Sequence, residues 1–133
     1  MATFLRVTIG LQTLAVFLAP VTAGLLLTIP SGKALHSASA YAVFAVTVVH
    51  LVAAVLVWRP GGGSPWAILS AAGFLGLVLV QVFLGIAHVK TVHVPLGVLL
   101  FGLSLLQLSR PSACLPLRGR SRRPGRPASR VAA

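Results

Sequence analysis

The stretch Ala34–Trp58, ALHSASAYAVFAVTVVHLVAAVLVW, lies between Lys33 and Arg59 and holds no charged side chain. At 1.5 Å per residue, a helix of this length crosses the ~30 Å hydrocarbon core of a bilayer. A strand of a membrane barrel needs about 10 residues of alternating polarity, and no such alternation is present. Three further stretches have the same character: Val7–Ile29, Trp66–Val89 and Thr91–Leu108. The breaks between them are turn formers. Pro30-Ser31-Gly32 closes the first span, and Arg59-Pro60-Gly61-Gly62-Gly63-Ser64-Pro65 separates the second from the third. Lys90 to His93 is a tight connection, and Pro95 falls in the first turn of the last helix, where a missing N–H costs nothing. Connections this short make successive helices antiparallel neighbours. Pro20 lies inside the first span and is expected to kink it or loosen its last turns, which a membrane helix tolerates.

Composition points the same way. The chain has 133 residues, 57% of them hydrophobic and 8% charged, with a mean hydropathy of +1.00; an average soluble domain carries about 25% charged residues. Lys and Arg number 11, while Asp and Glu are absent. Every chemistry that needs a carboxylate is thereby excluded: EF-hand calcium binding, paired-acid glycoside hydrolysis, a Ser-His-Asp triad. The expected fold is all-α, an integral membrane four-helix antiparallel bundle over residues 1–108, followed by a basic tail over 109–133. Val21-Thr22-Ala23 resembles a signal cleavage site, but the apolar run continues past it to Ile29, beyond the 7–15 residues of a signal core, so the first span is read as retained.

The tail combines seven arginines (Arg110, Arg118, Arg120, Arg122, Arg123, Arg126 and Arg130) with Pro111, Pro116, Pro124 and Pro127. It cannot bury a core and is expected to be disordered. Without interleaved aromatics it does not read as a nucleic-acid binder. Its expected partner is anionic lipid, with the charge acting as a topology determinant. Cys114 stands alone and offers no disulfide or CxxC site. With four spans both termini share a side, so Arg6, Arg59 and the tail arginines oppose Lys33 and Lys90. The positive-inside rule then places both termini in the cytoplasm of a bacterial plasma membrane. Gly10 and Gly24 on the first helix and Gly73 and Gly76 on the third permit close helix contact, and a homodimer or larger membrane complex is expected.

Ionisable groups in a bilayer are expensive, which makes the histidines the functional candidates. His36, His88 and His93 all fall at the outer ends of their spans; His50 lies about 21 Å deeper, fourteen residues on from His36. Those fourteen residues leave His36 and His50 about 40° apart around the second helix, on one stripe with Ala40, Val43, Thr47 and Ala54. His93 shares its stripe with Gly97, Leu100, Ser104 and Gln107, while Gln81, Gly85 and His88 share one on the third helix. Opposed imidazoles with small neighbours one turn away suit bis-histidine haem ligation; they equally suit hydrogen bonds between closely packed helices. His50, whose counterpart below His93 is Gln107, is expected to be hydrogen bonded, with Thr47 as its polar neighbour.

The segments Leu79-Val80-Gln81-Val82-Phe83-Leu84-Gly85-Ile86 and Val92-His93-Val94-Pro95-Leu96-Gly97, with Ala34-Leu35-His36-Ser37, resemble one four-helix half of haem A synthase. They also look like small four-helix bacterial membrane proteins of the same plan. The resemblance covers about Gln12 to Leu108. It implies that His36 and His93 are the axial pair of one b-type haem, with His88 a neighbour contacting a haem propionate. Gln81 and Gly97 belong to the matching motif, and Lys33 and Lys90 are the cations placed to meet the propionates. Haem A synthase joins two such halves and uses a membrane carboxylate, whereas this chain has one half and no carboxylate. The implied role is electron transfer or haem handling, with no enzymatic activity expected of the chain alone. The alternative function is a cofactor-free structural or accessory membrane subunit.

The charge asymmetry sets a first test. A reporter active only outside the cytoplasm is expected to work when fused after Ser31 and to be silent after Arg110. Activity at Arg110 alone would reverse the assigned orientation.

Overall fold

The computed structural model describes residues 2–110; the tail from Pro111 onward, with Cys114 and six of its arginines, lies outside the described residues. Four helices follow one another: α1 (Ala2–Leu25), α2 (Gly32–Trp58), α3 (Trp66–Ile86) and α4 (Lys90–Ser109). Among the described residues there is no strand. Each helix is long and apolar enough to cross a membrane. α1 packs on α2 and α4, and α3 packs on the same two, leaving α1/α3 and α2/α4 across the diagonals. The chain therefore runs up and down around a square. We call the end holding the start of α1 and the end of α4 the base, and the end holding the α1–α2 and α3–α4 connections the crown.

The interior is layered. Val16, Val43, Phe74, Val78 and Leu100 form the buried apolar cluster at mid-height, with a contribution from every helix. Towards the base the buried residues turn polar: Thr8, Gln12, Thr13, Thr47, His50 and Ser104. The outside is the reverse, with Tyr41, Phe83, Ile86 and Val98 each about two-thirds exposed or more. A soluble bundle puts its polar groups outward and its apolar stripe inward, so this chain is built inside out. The helical stripes expected from the 3.6-residue period point inward, since Val43, Thr47, His50 and Ala54 are buried on α2, and Leu100 and Ser104 on α4.

Helix ends depart from the span limits by a few residues, because charge marks where a span leaves lipid and says nothing about caps. α1 begins before Arg6 and stops at Leu25 instead of Ile29. It runs unbroken through Pro20, and the chain then tightens into successive i→i−3 turns at Leu26, Leu27 and Thr28. Pro30 keeps the residue before it, Ile29, out of helical geometry, so these turns are not continued. α3 ends at Ile86, not Val89. There the Val89 N–H donates to the Leu84 carbonyl and the His88 N–H to the Gly85 carbonyl, the paired bonds of a Schellman turn. His88 occupies the left-handed position of that turn, with φ of +59°. It has therefore left the helical stripe of Gln81 and Gly85.

The fold also repeats. Lys33/Lys90, His36/His93, Ala40/Gly97, Val43/Leu100, Thr47/Ser104 and His50/Gln107 all stand 57 positions apart, one member on α2 and the other on α4. Gln12/Ser70, Thr13/Ala71 and Val16/Phe74 relate α1 to α3 at a separation of 58. Equivalent helices lie across the diagonals, so the α1–α2 and α3–α4 hairpins are related by an approximate two-fold axis along the bundle.

His88 carries a side chain where glycine is the residue without a steric penalty, and left-handed geometry costs an ordinary residue roughly 1–2 kcal/mol. His88→Gly is expected to stabilise the detergent-solubilised protein by about 1 kcal/mol in thermal unfolding. A loss of stability would mean that the imidazole itself holds the turn.

Candidate functional site

At the crown, the start of α2 and the start of α4 bring His36 and His93 together across the diagonal. Their ring centroids are 6.3 Å apart and the planes stand at 79°. Both rings are half-buried. Each is anchored through Nδ1: His36 donates to the Ala19 carbonyl at 3.2 Å, and His93 donates to the Gln81 carbonyl at 3.0 Å. A carbonyl oxygen can only accept, so Nδ1 carries a proton in both rings, and the neutral tautomer that matches both bonds has its lone pair on Nε2. Thr22 and Ser39 complete the His36 side. Their hydroxyls are 2.8 Å apart, Thr22 Oγ1 lies 3.3 Å from His36 Nδ1, and the Ser39 hydroxyl donates to the His36 carbonyl.

The His93 side is a reciprocal clasp between α3 and α4. While His93 donates to the Gln81 carbonyl, the Gln81 amide donates through Nε2 to the His93 carbonyl at 2.8 Å. Each side chain lies over a glycine one turn along the other helix. A methyl group at Gly85 would come within 3.1 Å of His93 Cε1, and one at Gly97 within 3.1 Å of Gln81 Nε2. The clearance expected beside a flat ring at Gly97 is thus taken by the Gln81 amide. Gln81 Oε1 is left buried without a hydrogen-bond partner among the described residues. Lys33 and Lys90 are exposed, each one turn before its histidine. His88 is exposed in the α3–α4 connection.

A second polar layer closes the base. His50 donates through Nδ1 to Gln12 Oε1 at 2.7 Å. Gln12 Nε2 donates to Gln107 Oε1 at 2.9 Å, and Gln107 Nε2 to the Ser70 carbonyl at 3.3 Å. One hydrogen-bonded line therefore runs through α2, α1, α4 and α3. His50 is hydrogen bonded as expected, but its partner is Gln12; the Thr47 hydroxyl donates to the Val43 carbonyl of its own helix. Gln12 and Gln107 are visible in the sequence as isolated amides in apolar spans. Their pairing is not, because it depends on how α1 and α4 are rotated against each other. Thr22 and Ser39 leave no signal beyond their small polar side chains.

Among the described residues there is no group of three or more His, Cys, Asp or Glu side chains able to hold a metal ion; the crown offers two imidazoles. Compared with protein families, curated proteins and solved structures, the chain matches none.

The base line predicts its own cost of disruption. Gln12→Leu strands the His50 Nδ1–H and Gln107 Oε1 in a buried layer, where each unsatisfied group costs about 1–3 kcal/mol. A loss of stability in that range is expected on chemical or thermal unfolding. A neutral result would show that the line contributes nothing to holding the helices together.

Proposed function

We propose that the chain is a multi-pass membrane protein of the bacterial plasma membrane, with both termini cytoplasmic, that holds one b-type haem at its crown between His36 and His93. The inside-out distribution of polarity supports the membrane part. In water the exposed Leu, Val, Ile and Phe side chains would cost about 25 cal/mol per Å², whereas in lipid they cost nothing, and the polar side chains pair inside, as a bilayer requires.

The observation that carries the haem part is the His36–His93 pair. Two imidazoles sharing one metal ion through bonds of about 2.0–2.1 Å would have ring centroids about 6 Å apart, close to the 6.3 Å separation here. A backbone carbonyl on the outer nitrogen is how a ligating histidine is oriented and made more basic, and both rings have one. When bound, such a haem supplies reversible one-electron chemistry whose potential follows from its axial ligands and burial. The residues do the rest. Val43 and Leu100, two turns below the histidines, form an apolar floor. Thr22 and the Gln81 clasp fix the ring orientations, and Lys33 and Lys90 supply the positive charge for propionates at the membrane surface.

A second reading is favoured by one observation. The Gly85 and Gly97 clearances are filled by His93 and Gln81, as they would be in a cofactor-free subunit whose histidines serve helix packing.

Visible spectra of protein expressed with ample haem and purified in mild detergent separate the two. A low-spin b-type spectrum is expected, lost in His36→Ala and in His93→Ala and retained in His50→Ala. Haem-free protein would promote the cofactor-free reading; a spectrum that survives His93→Ala would move the ligand elsewhere.

A further inference from the structure

Tyr41, the one tyrosine of the chain, stands on the outer face of α2 and is 76% exposed. Its hydroxyl has no hydrogen-bond partner among the described residues. It lies nine residues into α2, about 14 Å along the helix from Gly32. Long side chains on a helix lean towards its N-terminus, so the phenol leans towards the crown and the level of Ser39. A hydroxyl facing lipid at this depth finds no water to bond and has to be satisfied by protein.

Beside Tyr41, the outer surface between α1 and α2 carries an apolar groove of about 170 Å³, lined by Leu11, Leu14 and Leu18 from α1 and by Ser39, Ala42 and Val46 from α2. A cavity of roughly 150 Å³ is large enough for a benzene ring. Ser39 gives the groove a polar edge on the crown side. Its hydroxyl donates to the His36 carbonyl, and its oxygen lies 2.8 Å from Thr22 Oγ1, which lies 3.3 Å from His36 Nδ1. A serine oxygen with its proton so engaged still accepts a further bond. Around α2, Ala45 and Ala42 lie about 40° and 100° on from Tyr41, and Val46 and Ser39 about 140° and 160° on. Two exposed alanines thus separate the phenol from the groove.

We propose that this face pairs with a second copy of the chain, Tyr41 of each copy filling the α1–α2 groove of the other and donating its hydroxyl to Ser39 there. Copies inserted the same way share depth, because their two-fold axis runs along the bilayer normal. A projection can then fill only a hollow at its own level, and Tyr41 lies between Ser39 and Ala42 in the sequence. A two-fold interface also needs its projection and its hollow on opposite sides of the axis. An axis beside Ala42 and Ala45 meets that condition, and the alanines let the two α2 backbones approach closely. The contact reaches Ser39 and Thr22, the hydroxyls beside His36, so the second copy completes the polar cluster at that ring. The pairing goes beyond the haem reading and stands without it.

The test uses the full-length protein carrying Cys114→Ser, in phosphatidylcholine vesicles at a large excess of lipid. A single cysteine is placed either beside the proposed axis, Ala45→Cys, or on the outer surface of α3, Gly73→Cys, where an added side chain meets nothing. Mild oxidation is expected to link two chains at Ala45 and not at Gly73. Adding Tyr41→Ala, or Ala42→Leu to hold the backbones apart, is expected to reduce the linkage about tenfold, the worth of one interhelical hydrogen bond. If Tyr41→Ala changes the helical circular dichroism, Ala42→Leu decides. Linkage at Gly73 in place of Ala45, or linkage at Ala45 that survives both substitutions, overturns the proposal. No linkage at either position also overturns it, leaving Tyr41 as an interfacial anchor and the groove to a lipid chain.

Discussion

An imidazole buried in a protein without carboxylates has only neutral groups to bond, and the interior of this bundle is arranged around that constraint. With no acidic side chain in the chain and little water inside a membrane bundle, each histidine that faces the interior bonds a carbonyl or an amide from a neighbouring helix. Ala19 and Gln81 supply main-chain oxygens to His36 and His93; Gln12 supplies a side-chain oxygen to His50. Because every one of these bonds joins two different helices, satisfying the histidines also fixes how the helices are rotated. Exposed Leu and Val on the outer faces cannot do this, since lipid is as apolar as a neighbouring helix.

The two polar layers are kept apart. Val16, Val43, Phe74, Val78 and Leu100 fill the section between them, and among the described residues no side-chain hydrogen bond connects the Gln12 line to the crown. The septum leaves the crown as a separate polar end of the bundle. The approximate two-fold axis explains why that end is symmetric: His36 and His93 occupy equivalent positions, and so do Lys33 and Lys90. A planar ligand seated on the axis would meet one histidine and one lysine from each hairpin.

The helices were legible because hydropathy is averaged over a whole span and tolerates local error. Their inner faces were legible because 3.6-residue periodicity survives in the positions of Val43, Thr47, His50, Leu100 and Ser104. Helix ends were less so: hydropathy carries no information on the Schellman turn that places His88 in left-handed geometry and removes it from the stripe of Gln81. The crown pair could be located by depth, but the bonds that orient its rings could not, because the Gln81–His93 clasp uses backbone carbonyls that every residue possesses. The glycines illustrate the difference. Gly85 and Gly97 mark a close approach in the sequence, yet only the structure identifies His93 and Gln81 as the groups that approach.

The central proposal is that His36 and His93, whose ring planes stand nearly perpendicular at 79°, hold one haem between them. Electron paramagnetic resonance of the oxidised, haem-loaded protein measures this most directly, because the anisotropy of low-spin ferric iron depends on the angle between its axial rings. The expected result is a single, highly anisotropic low-spin signal that disappears in His36→Ala and in His93→Ala. A high-spin signal from the wild type, or a low-spin signal untouched by either substitution, would contradict the account.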